Sequence, residues 1–209
     1  MEASPAELEE GGDNLGVRVL CFPEAVAPVS LRRQVVALRR QAWPSDEHHE
    51  VAEDRPIHDP ALDPQTMVLV DGQRVVGALG ILSKRIVHDG RWFQASGLTA
   101  VVVDHDRRRH GFGHSLVTEA HRFVAASGVD LSVFTCDHAL QGFYERAGWA
   151  VLPGSVIVGG TPEMPFPSDQ PGFDKVTLGD FFSTEATLHR ATFVQSRIHL
   201  YPGEIDRLW

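Results

Sequence analysis

The sequence predicts an α/β fold, and three features support that prediction. Two hairpin turns, Asp71-Gly72 and Asp89-Gly90, separate three apolar segments and predict a three-stranded meander over residues 66–103. The meander ends in a β-branched run, Val101–Val103, which is typical of a strand covered on both faces. After a polar loop the apolar spacing changes to that of a helix, and Gly128 is placed to end that helix.

The remaining elements follow from apolar runs and the residues that flank them. Ser30 is expected to cap a helix that ends before Pro44, and Asp137 is expected to cap a short helix over Ala139–Ala147. The Pro- and Gly-rich residues 160–174 predict an extended loop. Further strands are expected at 17–22, 131–136, 149–158, 175–178 and 192–200, with a last helix at 183–190.

Length, net charge and cysteine content restrict the class of protein and its partners. The chain has 209 residues and a formal net charge of −9, which disfavours nucleic acid as a partner and suits a cationic ligand. Residues 1–15 are acidic and Gly-rich, so we expect a flexible tail followed by a single domain over residues 16–209. Cys21 and Cys136 lie inside apolar runs, and no apolar segment is long enough to span a bilayer. These features predict a cytoplasmic protein without disulfides or membrane attachment.

The loop after the meander has the residues of an anion site. Arg108, Gly111 and Gly113 follow the strand at the spacing Arg-x-x-Gly-x-Gly, with Arg107 and Arg109 alongside. A helix start offers unpaired backbone amides, and glycines let an anion approach them closely. The pattern is neither a Walker loop nor a complete dinucleotide fingerprint. An ordinary strand–helix turn with a basic surface therefore stays as the alternative to a phosphate or pyrophosphate site.

A second motif, Gln141-Gly-Phe-Tyr-Glu-Arg-Ala-Gly-Trp149, completes the pattern. A strand, the Arg/Gly loop, a helix, a strand and a short helix with Phe-Tyr-x-x-x-Gly-aromatic together resemble the GNAT N-acetyltransferase superfamily over about residues 66–159. The resemblance implies a central mixed, mostly antiparallel sheet that is splayed between its fourth and fifth strands, with helices on both faces. It also implies an acetyl-CoA-dependent enzyme. The spacing of His48, His49 and His58 matches no standard metal motif, so no metal is expected.

The resemblance also implies roles for the residues that match the family pattern. The backbone around Val101, Val102 and Val103 would pair with the pantetheine arm of acetyl-CoA as an added strand does. Tyr144 matches the tyrosine that protonates the departing CoA thiolate, the alternative being a core tyrosine on an amphipathic helix. The pyrophosphate would lie on the loop and helix start, formed by Arg108, Arg109, His110, Gly111, Phe112, Gly113 and His114.

Other segments resemble the aminoglycoside 2′-N-acetyltransferases more narrowly. They are Lys84-Arg-Ile-Val-His-Asp-Gly-Arg-Trp92, Gly154-Ser-Val-Ile-Val-Gly-Gly-Thr-Pro-Glu163 and the terminal Trp209. In that family, acidic side chains and the terminal carboxylate line the aminosugar site. The resemblance therefore implies a cationic small-molecule amine as the acceptor, bound by Asp46, by Asp169 or Asp174, and by the carboxylate of Trp209.

Thr99 departs from this narrower pattern, because the aminoglycoside enzymes carry a glutamate at its position and it would belong to the acceptor site. A threonine hydroxyl is no base at neutral pH, so water, another carboxylate or a different substrate must account for the proton that the amine loses. An unusual aminosugar such as kasugamycin, acetylated at a 2′-amine to give antibiotic resistance, would fit a remodelled site. The alternatives are another small amine, a protein N-terminus, or an acetyl-CoA-binding module without catalysis, and a homodimer is left open.

Overall fold

The described part of the chain, in a computed structural model, comprises residues 6–7, 16–44, 55–173, 175–201, 203 and 208–209. The chain divides into two compact units, residues 1–81 with 99–119 and residues 82–98 with 120–209. The single domain expected over residues 16–209 stays a prediction. Among the helices of the described residues, none has the length and apolar character of a membrane span.

The strands and helices are defined as follows in chain order. The strands are β1 (Ala6–Glu7), β2 (Val17–Pro23), β3 (Gln65–Asp71), β4 (Arg74–His88), β5 (Arg91–Val103), β6 (Leu131–Asp137), β7 (Ala150–Val151), β8 (Val156–Gly160), β9 (Pro165–Pro167), β10 (Lys175–Phe181) and β11 (Arg197–His199). The helices are α1 (Val29–Ala42), α2 (Phe112–Ala126), α3 (Gln141–Glu145) and α4 (Thr184–Leu188).

The strands form one large and one small sheet. The large sheet has the order β1-β2-β3-β4-β5-β6-β10-β7, and the small sheet has the order β11-β8-β9. β5 with β6 and β8 with β11 are parallel pairs, whereas the other pairs with a defined register are antiparallel. The predicted α/β fold with a mixed, mostly antiparallel sheet is confirmed, and so is the meander of β3, β4 and β5.

The parallel pair β5–β6 holds together over a short length. Ala95 pairs with Leu131 and Ser96 with Ser132, and the defined register stops there. β6 itself continues to Asp137 and pairs along its whole length with β10. β5 and β6 are the fourth and fifth strands when the count begins at β2, so the pairing stops where the predicted splay requires it to stop.

The first unit is organised around the antiparallel strands β2, β3 and the beginning of β4. β2 and β3 are in register from Val17 opposite Asp71 to Pro23 opposite Gln65. In α1 the apolar residues three and four apart face inward, as an amphipathic helix requires. One buried apolar cluster of this unit contains Phe22, Ala27, Val35, Leu38, Val68, Val70, Val75, Ala78 and Val102.

The second unit has an aromatic core. Trp149 lies with its ring edge toward Phe134, and Phe93 lies with its ring edge toward Phe193. The Trp149 indole N–H donates to Ser132 Oγ at 3.0 Å, so the polar atom of this large buried ring has its partner. Edge-to-face aromatic contacts of this kind add to the free energy gained by burial.

Several predicted boundaries were wrong, and each has a local reason. Ser30 lies inside α1, whose N-cap is Pro28 and has no side-chain cap. The strand expected over 149–158 is divided at Pro153-Gly154, where Gly154 has φ +67°, so that β7 joins the large sheet and β8 the small one. Asp137 precedes a 3₁₀ turn but makes no capping bond, because its carboxylate accepts from Lys175 instead.

The chain termini and loops differ from prediction as well. Within the segment expected to be a flexible tail, β1 pairs with β2, with Ala6 opposite Cys21. The loop expected over 160–174 contains β9, which pairs with β8. The last predicted strand is reduced to β11, because a 3₁₀ turn (Arg190–Phe193) and Gln195 at φ +52° precede it.

Candidate functional site

Asp104 fixes the start of the loop that follows β5. Its side chain is buried, Oδ1 accepts from the backbone N–H of Asp106 at 3.0 Å, and Oδ2 accepts from Arg74 Nη2 at 2.5 Å. Its own backbone N–H donates to the carbonyl of Val76 at 2.9 Å. The residues that follow therefore leave the sheet from a firmly held position.

The loop between Asp104 and α2 presents backbone amides at its surface. Arg109 and Gly111 have φ of +65° and +83°, a conformation that reverses the chain locally and suits glycine. The first hydrogen bond at the start of α2 runs from the N–H of Ser115 to the carbonyl of Gly111 at 3.0 Å. The amides of residues 112–114 precede that bond, as the first amides of a helix do, so they are available to an anion.

The same loop concentrates positive charge in a chain whose net charge is −9. Arg108 and Arg109 are exposed, whereas Arg107 is paired with Asp71 at 3.1 Å. A cavity of about 480 Å³ opens at this loop, and its lining residues are His105, Asp106, Arg108, Arg109 and His110. Exposed cations and open space coincide here, and the first amides of α2 follow closely along the chain. Cations and helix amides are the groups that bind a phosphate-bearing ligand.

The end of β5 is irregular at the point where the sequence predicted a cofactor-binding backbone. Ala100 has φ +47°, an uncommon conformation for a residue with a Cβ, and it interrupts the alternation of the strand. Thr99, Val101 and Val103 are half-buried, whereas Val102 is buried in the core of the first unit. The side chain of Val102 therefore packs in the core, so only the backbone of this residue is available to bind a ligand.

Tyr144 lies on α3 in an aromatic environment of the second unit. It is 6% exposed and has its ring centroid 5.0 Å from those of Phe134 and Phe143. Burial raises the pKa of Tyr144, and the nearby Cys136 and Asp137 raise it further. The hydroxyl therefore keeps its proton at neutral pH, as a general acid must before it reacts.

Both cysteines are free and buried, as predicted. Burial raises the pKa of Cys21 to about 12 and that of Cys136 to about 11. Neither thiol is a reactive thiolate at neutral pH.

The predicted acceptor residues have different surroundings. Asp46 and Asp174 lie outside the described residues. Asp169 is exposed and pairs with Arg197 at 3.5 Å. Trp209 is 3% exposed and packs on Gly97, because a Cβ at Gly97 would lie 2.4 Å from the indole. The indole N–H of Trp209 has no hydrogen-bond partner among the described residues.

Thr99 borders a buried polar group that the sequence did not reveal. A Cβ added to Gly80 would lie 2.7 Å from Thr99 Cγ2, 3.4 Å from Arg39 Nη2 and 3.5 Å from His58 Cε1. His58 in turn is bonded to Glu24, with 2.6 Å between Nδ1 and Oε2. No local signal could have predicted this pair, since its members are 34 residues apart.

The family model described as an acetyltransferase (GNAT) domain matches residues 30–152, which is more than half of the sequence.

Solved structures of transferases are similar to this chain at the level of the fold. The GNAT family N-acetyltransferase YhbS from Escherichia coli, solved in complex with CoA, has a TM-score of 0.62 and 18% identity over 92% of this chain and 94% of its own. An acyl-CoA N-acyltransferase from Pseudomonas aeruginosa has a TM-score of 0.54 and 14% identity over 78% and 99%. Aminoglycoside 6′-acetyltransferase type Ii has a TM-score of 0.52 and 20% identity over 79% and 97%. At these identities the likeness establishes the fold.

Proposed function

Because the chain belongs to the GNAT acetyltransferase family and is an N-acetyltransferase, we propose that it acetylates the 2′-amine of an aminoglycoside-type antibiotic from acetyl-CoA. Kasugamycin is the specific acceptor proposed, and the reaction would confer resistance in the cytoplasm. The observation that carries the proposal is the anion site at the start of α2. The acceptor half is supported by the narrower sequence resemblance and by the acidic balance of the chain.

The donor is held, in this proposal, by the loop and the first amides of α2. Arg108 and Arg109 would neutralise the pyrophosphate, while the amides of residues 112–114 would donate hydrogen bonds to it. The half-buried backbone at Val101 and Val103 would pair with the pantetheine arm. Bound acetyl-CoA supplies an activated acetyl thioester, so the protein has to position that group and manage protons.

Tyr144 is proposed as the general acid that protonates the CoA thiolate as it leaves. The support is its place in the Phe-Tyr-x-x-x-Gly-Trp motif, together with the burial that raises its pKa and keeps it protonated. Phe134, Phe143 and Trp149 surround the ring and fix its orientation. General acid catalysis of this kind contributes about 10²–10⁴-fold to rate.

The proposed acceptor is a sugar that carries several amino groups. Because such a sugar is cationic, anionic groups would have to bind it. Asp46, Asp169 or Asp174, and the terminal carboxylate of Trp209 are the candidates that the resemblance supplies. Trp209 packs on Gly97 of β5, a strand of the large sheet. Carboxylates that face a cationic sugar would give both affinity and orientation.

A thiol-release assay with acetyl-CoA tests the proposed function. Kasugamycin and other aminoglycosides form the panel, with polyamines and peptides bearing a free N-terminus as alternative acceptors. We expect turnover with an aminoglycoside and a mass increase of one acetyl group on its 2′-amine. Turnover confined to peptides or polyamines would reject the aminoglycoside acceptor, and acetyl-CoA binding without any turnover would favour a non-catalytic module.

Replacing Tyr144 by Phe separates acid catalysis from binding. Tyr144→Phe keeps the buried ring and removes only the hydroxyl, so acetyl-CoA affinity should change by less than about twofold. The turnover number should fall by about 100-fold. Tyr201→Phe is the matched control, because it makes the same chemical change at the other tyrosine of the chain. Unchanged turnover in Tyr144→Phe would remove Tyr144 from the mechanism.

A further inference from the structure

Trp149 contacts both the proposed general acid, Tyr144, and a buried serine of β6, Ser132. We propose that Ser132 is a positioning residue: its hydroxyl holds the Trp149 indole, and the indole fixes the Tyr144 ring in the orientation from which the phenol meets the departing thiolate. The inference rests on the proposed function, since it concerns how the acid of that reaction is held. All three residues belong to the second unit.

Tyr144 needs support from outside its own helix. α3 has five residues, little more than one turn, and its N-cap makes no side-chain hydrogen bond. Two N–H groups beyond the helix, those of Ala147 and Trp149, donate to the backbone carbonyl of Tyr144 at 3.0 Å and 3.4 Å. These bonds hold the backbone of Tyr144, but they leave the direction of its ring to the side chains around it.

The Tyr144 hydroxyl adds no support of its own. Among the described residues this hydroxyl forms no hydrogen bond, although Tyr144 is buried. A phenol without a protein partner is available to a ligand, as a proton donor must be. The position of the hydroxyl therefore depends on the packing of the ring.

The Tyr144 ring is held by two rings that also contact each other. Its centroid lies 5.0 Å from that of Phe134, at an interplanar angle of 70°, and 6.3 Å from that of Trp149, at 78°. The rings of Phe134 and Trp149 meet edge to face at 5.1 Å. Because a protein interior is close-packed, a shift of Trp149 displaces both neighbours of the Tyr144 ring.

A hydrogen bond fixes the orientation of Trp149. Its indole N–H donates to Ser132 Oγ at 3.0 Å, and both residues are buried. The N–H is the single polar group of the indole and can only donate, so this bond selects one direction of the ring. The ring of His121 in α2 packs against Trp149 at 4.8 Å and is itself bonded to Asp180, with 2.8 Å between Nε2 and Oδ2.

Ser132 is a rigid anchor because strands pair with it on both sides. It lies opposite Ser96 of β5 and opposite Asp180 of β10. Its backbone is therefore held by the sheet, and the Trp149 indole takes its place relative to the sheet rather than to the short helix α3.

Loss of the Ser132 hydroxyl would disturb this arrangement. Ser132→Ala leaves the indole N–H without its acceptor, and a buried donor without a partner is unfavourable. Trp149 then moves toward another acceptor, and the Tyr144 ring repacks with it. Because a misplacement of about 1 Å can slow a reaction about 100-fold, an intermediate loss of about tenfold in kcat is expected.

A double-mutant cycle distinguishes positioning from a general loss of structure. Ser132→Ala is made in the wild type and in Tyr144→Phe, and kcat is measured with an acceptor of the panel that the wild type acetylates. In the wild type it should lower kcat about tenfold and change the KM for acetyl-CoA by less than about twofold. In Tyr144→Phe it should lower kcat by less than about twofold, because no acid remains to be oriented.

Trp149→Phe removes the same bond from its donor side. It keeps an aromatic ring without the N–H, so kcat should fall about as far as in Ser132→Ala. The combination of both changes should cause no further loss, since each removes the same bond. If Ser132→Ala does not fold, Trp149→Phe replaces it in the cycle with Tyr144→Phe.

Ser155→Ala is the matched control. Ser155 is buried, and its hydroxyl donates to the backbone carbonyl of Phe193 at 2.6 Å. The control therefore also removes a buried serine hydroxyl and its hydrogen bond from the second unit, and kcat should change by less than about twofold. Thermal unfolding and acetyl-CoA affinity are measured for every variant.

The NMR signals of the two tyrosine rings, Tyr144 and Tyr201, provide a readout that needs no turnover. In protein with ¹³C-labelled tyrosine, Tyr144→Phe identifies the signals of Tyr144. Ser132→Ala should shift these signals, and Ser155→Ala should leave them unchanged.

Each outcome decides the proposal. A loss of kcat that depends on Tyr144, together with shifted Tyr144 signals, supports it. Equal losses in the wild type and in Tyr144→Phe, no loss, or unchanged signals overturn it and leave acetyl transfer standing. If Tyr144→Phe retains full turnover, Tyr144 is not the acid, and the proposal is overturned as well. A wild type that acetylates no acceptor rejects the proposed function, and the Tyr144 signals alone then decide whether Ser132 holds the ring.

Discussion

The Arg/Gly loop, residues 104–114, takes its amides and cations from consecutive positions, whereas Glu24 and His58 lie 34 residues apart in the chain. The loop and the Glu24–His58 pair belong to the same compact unit. The loop is largely exposed and basic, and the groups it offers a ligand are mainly backbone amides. The pair is buried and consists of two side chains that bind each other. The loop therefore draws its amides and cations from neighbouring positions, although Asp104 at its start is held by Arg74 and Val76 of β4. The pair exists only after the first unit has packed.

The loop is proposed to bind the donor, because the pyrophosphate of acetyl-CoA is a group that a local backbone site can hold. The Glu24–His58 pair is a packing feature of the first unit. We therefore expect substitutions at the pair to affect stability, and substitutions in the loop to affect donor affinity.

Removing the Glu24 carboxylate should have the largest effect. Glu24→Ala leaves the His58 ring and the amides of Ile57 and His58 without their acceptor, so the free energy of unfolding should fall by about 3–5 kcal/mol. Urea denaturation measures it. Asp180→Ala is the control. Asp180 Oδ2 lies 2.8 Å from His121 Nε2, and because this pair is more exposed the loss should be about 1 kcal/mol. Equal losses would show that burial of the first pair has no energetic consequence.

The pH dependence of this stability has a defined sign. Burial alone would raise the pKa of Glu24, but the hydrogen bond and charge of His58 and the two backbone amides lower it below its ordinary value of 4.5. The unfolded chain therefore binds more protons in this range, and the stabilisation is present above about pH 4.5 and lost as the pH falls through the lowered pKa. The difference in unfolding free energy between wild type and Glu24→Gln should shrink on acidification. A constant difference would contradict a lowered pKa.

Gly80→Ala should have an intermediate effect, because it intrudes on the space between the pair and Thr99. The new Cβ would lie 2.7 Å from Thr99 Cγ2, so a loss of about 1–3 kcal/mol is expected from thermal or urea unfolding. Gly77→Ala, where the nearest atoms would lie at 3.4 Å, should cost less than about 1 kcal/mol. Adding Thr99→Ser removes the crowded methyl and should recover most of the loss. A double variant as unstable as Gly80→Ala would rule out this contact as the cause.

The contrast between local and non-local contacts explains how much of the structure the sequence could predict. Alternation and turn chemistry located β3, β4 and β5 to within a few residues, because each of these signals is local. The Arg/Gly loop was predictable for the same reason. The left-handed conformation of Ala100 and the contact between His58 and Glu24 were not, since the tertiary structure imposes both and neither has a characteristic residue type at its position. Pro153-Gly154 is an intermediate case, because this local turn signal lies within an apolar run that by itself predicts one continuous strand.

Substitutions in the Arg/Gly loop should have the smallest effect on stability and a selective effect on donor binding. Arg108→Gln with Arg109→Gln removes two exposed cations beside the cavity, so the Kd for acetyl-CoA should rise about tenfold while the melting temperature is unchanged. Raising the salt from about 0.1 M to about 1 M should weaken the wild type toward the variant, because salt screens exposed charges. Arg107→Gln is the control: Arg107 already pairs with Asp71 at 3.1 Å, so its loss should raise the Kd by less than about threefold. Calorimetric titration measures all three proteins, and an equal loss in Arg107→Gln would mean that net charge, rather than the position of each cation, holds the donor.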